Sequence, residues 1–181
     1  MSPALAQFDN LAQDPVAQVS SRPAFLDDLI RRLAQWRRER GQSPISIMLA
    51  QVDEFEKFSK EGADVANLVI RTTSKVFKAC MREMDHVTRM NDNTFAILMP
   101  GVDLTTAGNM GERVRKTILR TQLPKRLAKT SFTVTIGAVE VNEKDDMNTL
   151  LDRSSAALAT AINHGRNCVH KGDATRAPIK R

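Results

Sequence analysis

Apolar residues recur along this chain in two rhythms, every third or fourth position in some stretches and every second in others, and their order outlines a fold. Between Arg22 and Arg40, Phe25, Leu29, Leu33 and Trp36 keep helical spacing while Arg31, Arg32, Arg37, Arg38 and Arg40 fill other positions, which predicts an amphipathic helix with a solvated basic face. Gly41 to Pro44 end it. Ile45 to Val52 reads as a strand apolar enough to lie centrally in a sheet, and strand periodicity puts Gln51 and Asp53 on the same side at its C-terminal end. A short helix is expected over Glu54 to Lys60. A longer one follows Gly62, with Val65, Leu68, Val69, Thr72, Val76 and Cys80 toward the sheet.

His86 to Met90 and Phe95 to Met99 flank Asn91-Asp92-Asn93, residue types that tolerate positive φ, so this stretch predicts a β-hairpin with a tight polar tip. A helix from Asp103 to about Arg120 is expected to bury Leu104, Ala107, Met110, Val114 and Ile118, and Thr121 to Lys129 forms a basic connection broken by Pro124. Ser131 to Val141 alternates as a strand. Met147 to His164 reads as a helix burying Leu150, Leu151, Leu158 and Ile162, followed by a short edge strand at Asn167 to Val169. The order implies an α/β fold, a mixed central sheet flanked by helices, in one domain over 14–170 with an arm at 1–13 and a basic tail at 171–181.

Composition sharpens this picture only in part. The net charge of +6 suits an anionic partner such as a nucleotide, but four Lys or Arg lie in the final eleven residues, so the domain itself is mildly basic. With 7 Phe, 1 Trp and no Tyr, the chain lacks the rings for a single-strand nucleic-acid platform, and nucleic acid is disfavoured as a partner. Cys80 and Cys168 show no metal-ligand spacing and read as reduced core residues. No apolar run reaches the ~20 residues of a membrane span, so a cytoplasmic protein with no membrane contact is expected. At the junction before the hairpin, Arg82 and Asp85 stand three apart, able to face outward together and hold a planar polar ligand.

Asp14-Pro15 with Arg22 to Phe25, Gln51 to Phe55, Arg89 to Phe95, Thr133 to Gly137 and Gly165 to Asn167 form a string of motifs that, from Asp14 to about Val169, resembles the GGDEF family, the diguanylate cyclases. Asp14-Pro15 with Arg22-Pro23-Ala24-Phe25 is similar to the family's opening motif, and Gln51-Val52-Asp53-Glu54-Phe55 stands where the family has D-x-D-x-F. Arg89-Met90-Asn91-Asp92-Asn93-Thr94-Phe95 aligns with R-Y-G-G-D/E-E-F. Thr133 to Gly137 resembles V-T-x-S-x-G, and Gly165-Arg166-Asn167 is the terminal G-R-N. The resemblance implies the nucleotidyl-cyclase-like sandwich.

It also implies which chemistry is missing. In active members two Mg²⁺ ions bind a carboxylate at the end of the first strand and the acidic third residue of the signature, positions held here by Gln51 and Asn93. A neutral amide oxygen is a poor replacement for a carboxylate on a hard cation. Thr94 replaces the signature's Glu, while Asn91 and Asp92 put side chains where two glycines admit the base. The guanine-contacting Asn and Asp align with Ser59 and Leu68, and the triphosphate-contacting Lys aligns with Ile162, though Arg166 remains. Asp53 and Asp92 are the carboxylates left nearby, with Asp92 one position out of phase. No catalytic residue, metal or other cofactor is therefore expected in this former active site.

What the resemblance retains is the family's product-binding inhibitory site, the RxxD motif, as Arg82 and Asp85, with Arg113 aligned to a second arginine that completes it in some members. An arginine fork suits guanine O6 and N7, and Asp85 is expected to accept from guanine N1–H and the exocyclic amine. At roughly 1.5–3 kcal/mol for each charge-assisted bond, such a set makes micromolar affinity for cyclic di-GMP plausible. The expected function is a catalytically inactive GGDEF-like receptor for cyclic di-GMP. The alternative is a nucleotide-free interaction module on the same fold, acting through a protein partner or a homodimer.

Overall fold

Each strand of the sheet divides its side chains between two cores, and that division places the site. A computed structural model describes residues 13–123 and 131–172. Its elements run α1 (Arg22–Arg38), β1 (Ile45–Val52), α2 (Phe55–Glu61), α3 (Ala63–Cys80), β2 (His86–Arg89), β3 (Thr94–Pro100), α4 (Leu104–Arg120), β4 (Val134–Glu140), α5 (Met147–Asn163) and β5 (Val169–Lys171). The strand order is β2-β3-β1-β4-β5, antiparallel except for the parallel pair β4 and β5. This is the α/β sandwich expected, with β1 central.

Along β1, Met48, Ala50 and Val52 join a core under α3 and α4 with Phe77, Phe95, Ile97 and Val114, whereas Ile45, Ile47 and Leu49 join one under α1 and α5 with Phe25, Leu29, Leu98 and Leu158. Two-sided burial explains why β1 and β3 read as continuous apolar runs. The central strand thus carries Gln51 and Asp53 to a sheet edge where both cores end.

Local sequence accounts for the element ends. Ser21 caps α1 by accepting from Ala24 N–H, Pro23 sits in the first turn where no N–H is needed, and the helix stops at Arg38, two residues earlier than its arginine pattern suggests. Arg40 and Gly41, with φ of 52° and 69°, turn the chain there. Asp103 caps α4, and Asp146 with Thr149 closes a reciprocal capping box on α5.

In α3 the buried stripe is rotated from the expected one: Ala66, Ile70, Thr73 and Phe77 join Val69, Val76 and Cys80 inside, while Val65, Leu68 and Thr72 are half-buried. The helix packs on α4 as well as the sheet, and that wider contact recruits the neighbouring positions. At Gly137 of β4 a Cβ would lie 2.2 Å from Leu158 N, so only glycine lets α5 approach this closely.

Two expected boundaries shift. Gln13, assigned to the arm, pairs with Ser20, and Ser20 bridges to Thr88 of β2, so the first described residue already belongs to the fold. β5 begins at Val169 rather than Asn167 and takes Lys171 into the sheet. The rest of the arm and tail, and most of the basic connection before β4, lie outside the described residues.

Candidate functional site

The hairpin tip is built by its own side chains. Asn91 Oδ1 accepts from the N–H groups of Asn93 at 3.2 Å and Thr94 at 3.0 Å, and Arg89 donates to the carbonyls of Asn91 and Asp92. The hairpin and its polar tip are as expected, and none of the three tip residues takes the positive φ that their types tolerate, because this side-chain turn replaces a left-handed one. Arg89 lies 3.6 Å from Asp14 with its side chain 8% exposed. Burial pulls its pKa below the ordinary arginine value, an effect that Asp14 and Asp92 oppose.

Beside the tip lies a groove of about 1030 Å³ lined by Gln51, Asp53, Ser59, Asn67, Asn93 and Arg166 among others. Two of its polar side chains, Asp53 and Asn93, are committed to the protein. Asp53, buried, accepts from Thr133 and Thr135 hydroxyls at 2.6 Å each and from Asn167 N–H at 3.2 Å. Asn93 donates from Nδ2 to Val52 O at 3.3 Å and accepts from the hydroxyl of buried Thr94. Asp92 is exposed at the tip. A Mg²⁺ pair does not fit this donor set: the two aligned ligand positions hold neutral amides, and the buried carboxylate of Asp53 is engaged by three protein donors. Among the described residues no three His, Cys, Asp or Glu are arranged to hold a metal ion. Asn67, which lines the groove one position before Leu68, was not singled out from sequence. Its amide type and place in the motif were the available signal.

On the other side of the sheet edge, Arg82 and Asp85 do meet, but not as expected. Asp85 has a side chain with no exposed surface, and it accepts from Arg82 N–H at 2.8 Å, from Nη2 at 2.8 Å and from Nε at 3.2 Å. The two therefore do not face outward together, and Asp85 has no oxygen free to accept from guanine. Its three-residue spacing closes a turn, confirmed by Asp85 N–H on Arg82 O at 3.0 Å. The consequence is a fixed guanidinium. Arg82 Nη2 also donates to Pro100 O at 2.8 Å, the side chain stays 43% exposed, and Nη1 has no partner among the described residues.

Arg113 donates to the Cys80 carbonyl, the last of α3, two residues before Arg82. Both arginines are thus anchored at one helix end. A groove of about 600 Å³ opens beside Arg82, lined also by Arg31, Arg32, Lys78, Met84 and His86, but Arg113 is not part of that lining. Within it Asp28 pairs with Arg31, Arg32 and His86 at 3.2–3.3 Å. Burial tends to raise the Asp28 pKa, yet the His86 and Arg32 hydrogen bonds prevail and hold it below the usual carboxylate value.

Comparison with known proteins agrees with this architecture. The family described as diguanylate cyclase, GGDEF domain, matches residues 11–168. The probable diguanylate cyclase DgcT of Escherichia coli K12 is 27% identical over 171 residues, 92% of this chain and 37% of that protein. The chain spans about a third of the length of the curated relatives it matches. Among solved structures, the GGDEF domain of DgcB from Caulobacter crescentus in complex with c-di-GMP superposes with a TM-score of 0.82 at 23% identity, covering 90% of this chain and 96% of that one. Diguanylate cyclase SiaD from Pseudomonas aeruginosa, in complex with its activator SiaC, gives 0.82 at 26% identity, covering 93% and 65%.

Proposed function

The chain belongs to the diguanylate cyclase GGDEF domain family, and from that membership we propose that it is a catalytically inactive member that receives cyclic di-GMP at Arg82. The observation that carries the receptor reading is the posture of Arg82, a guanidinium locked by buried Asp85 and by Pro100 O while its side chain, 43% exposed, borders an open groove that Arg31, Arg32 and Lys78 also line. Preorganisation of this kind removes much of the ordering cost of binding. Arg82 is the ligand-binding residue, Asp85 positions it, and Arg113 braces the helix end from which both project. A c-di-GMP complex of DgcB, a protein of the same fold, is in keeping with this ligand class.

Inactivity is supported by the opposite groove. Gln51 and Asn93 bring no negative charge, Asp53 is spent on two threonines and a backbone amide, and the Asn93 side chain bonds back to the protein. The rival interaction-module reading draws on the saturation of Asp85 and on the separation of Arg113 from the groove. Calorimetric titration separates the two: cyclic di-GMP is expected to bind the wild type, and Arg82→Ala to weaken binding at least tenfold. Absence of binding to the wild type would favour the interaction module. Incubation with GTP and Mg²⁺ or Mn²⁺ is expected to yield no cyclic di-GMP above a blank.

A further inference from the structure

Two of the chain's three histidines, His164 and His170, meet where α5 ends and β5 begins, away from Arg82. Their ring centres are 5.8 Å apart and the planes are inclined at 59°, so the rings are not stacked face to face. Two imidazoles sharing one zinc ion, each with a Zn–N bond of about 2.0–2.1 Å and spread near a tetrahedral angle, bring their ring centres to about 5–6 Å. The observed separation falls in that range.

The sheet explains why the pair forms. His170 is the parallel partner of Gly137, whose missing Cβ points at Leu158 of α5, so His170 faces the same helix. His164 caps the C-terminal end of α5, where the helix dipole and unpaired carbonyls favour a cation. Cys168 lies just before β5, and its Sγ is 3.3 Å from Ala161 O, one turn before His164. That thiol is turned into the helix, so the histidines are the donors on offer.

Between the two histidines the backbone holds three successive residues in left-handed conformation, Gly165, Arg166 and Asn167, at φ of 108°, 63° and 45°. This turn sends Asn167 N–H to Asp53 and Thr135 and sets Arg166 in the lining of the larger groove. An ion held by both flanking rings would tether its two ends.

We propose that His164 and His170 form a two-imidazole clip for a divalent transition metal ion of the zinc, nickel or copper class, with water on the remaining positions, which fastens the turn carrying Arg166. Borderline metals of this class favour imidazole nitrogen, whereas Mg²⁺ does not. The site is independent of nucleotide binding. Its test uses the untagged 181-residue chain under reducing conditions, titrated with Zn²⁺ and with Ni²⁺ by calorimetry. The wild type is expected to bind one ion, His164→Ala and His170→Ala each to bind at least tenfold more weakly, and Cys168→Ser and His86→Ala to match the wild type within threefold. Saturating Zn²⁺ is expected to raise Tm by about 2–4 °C in the wild type and not in the histidine variants. With Cu²⁺, the paramagnetic resonance spectrum should show two nitrogen donors. No binding by the wild type, equal binding by the double histidine variant, or loss on Cys168→Ser alone would each overturn the proposal.

Discussion

Arg82 and Asp85 illustrate how a motif can be legible in residue types and misleading in orientation. Three-residue spacing predicts two side chains facing outward, yet the same spacing lets the carboxylate close a turn and bury itself against the arginine. Asp85→Asn therefore removes a positioning group rather than a ligand: cyclic di-GMP affinity is expected to fall with the loss of guanidinium order. Stability should drop by about 1–3 kcal/mol, measured by denaturant melts alongside the titration. Asp28 gives a pH signature. Its folded pKa lies below the unfolded value, so its contribution is present above the unfolded pKa near 4 and lost as pH falls through the lower folded value. The Tm advantage of wild type over Asp28→Asn should shrink steadily between pH 5 and pH 2, and an advantage unchanged across that range would refute the assignment.

Elements were easier to read than contacts. Continuous apolar runs located β1 and β3, alternation located β4, and Asp103 located the start of α4, because those signals are set by backbone geometry that tertiary packing seldom overrides. What escaped was rotation and commitment. The α3 stripe turned because the helix touches two neighbours, and the tip residues Asn91 to Asn93 bent the hairpin through side-chain acceptors instead of positive φ. Asp53, a free carboxylate on paper, proved to be the acceptor that joins β1 to β4 and to the turn before β5. The β4 to α5 contact also makes a firm prediction. In Gly137→Ala the new methyl meets backbone 2.2 Å away with no flexible side chain to yield, so unfolding free energy is expected to drop by about 3 kcal/mol in urea melts. A near-neutral outcome would show that α5 can retreat from the sheet.

Across the whole molecule, two grooves differ in how their polar groups are used. In one groove Asp53 and Asn93 turn their polar groups inward to bond the protein, and the other presents a guanidinium held by a buried carboxylate. Among the described residues no helix is long and apolar enough to cross a membrane, and the chain covers about a third of its curated relatives, so the receptor account concerns this domain. The most direct test is one crystal structure of the chain grown with cyclic di-GMP, GTP and Mg²⁺ together. The account predicts cyclic di-GMP against the Arg82 guanidinium, with Asp85 still beneath it, and no nucleotide beside Gln51 and Asn93. A metal-bound guanosine triphosphate at the hairpin tip, with Arg82 bare, would contradict it.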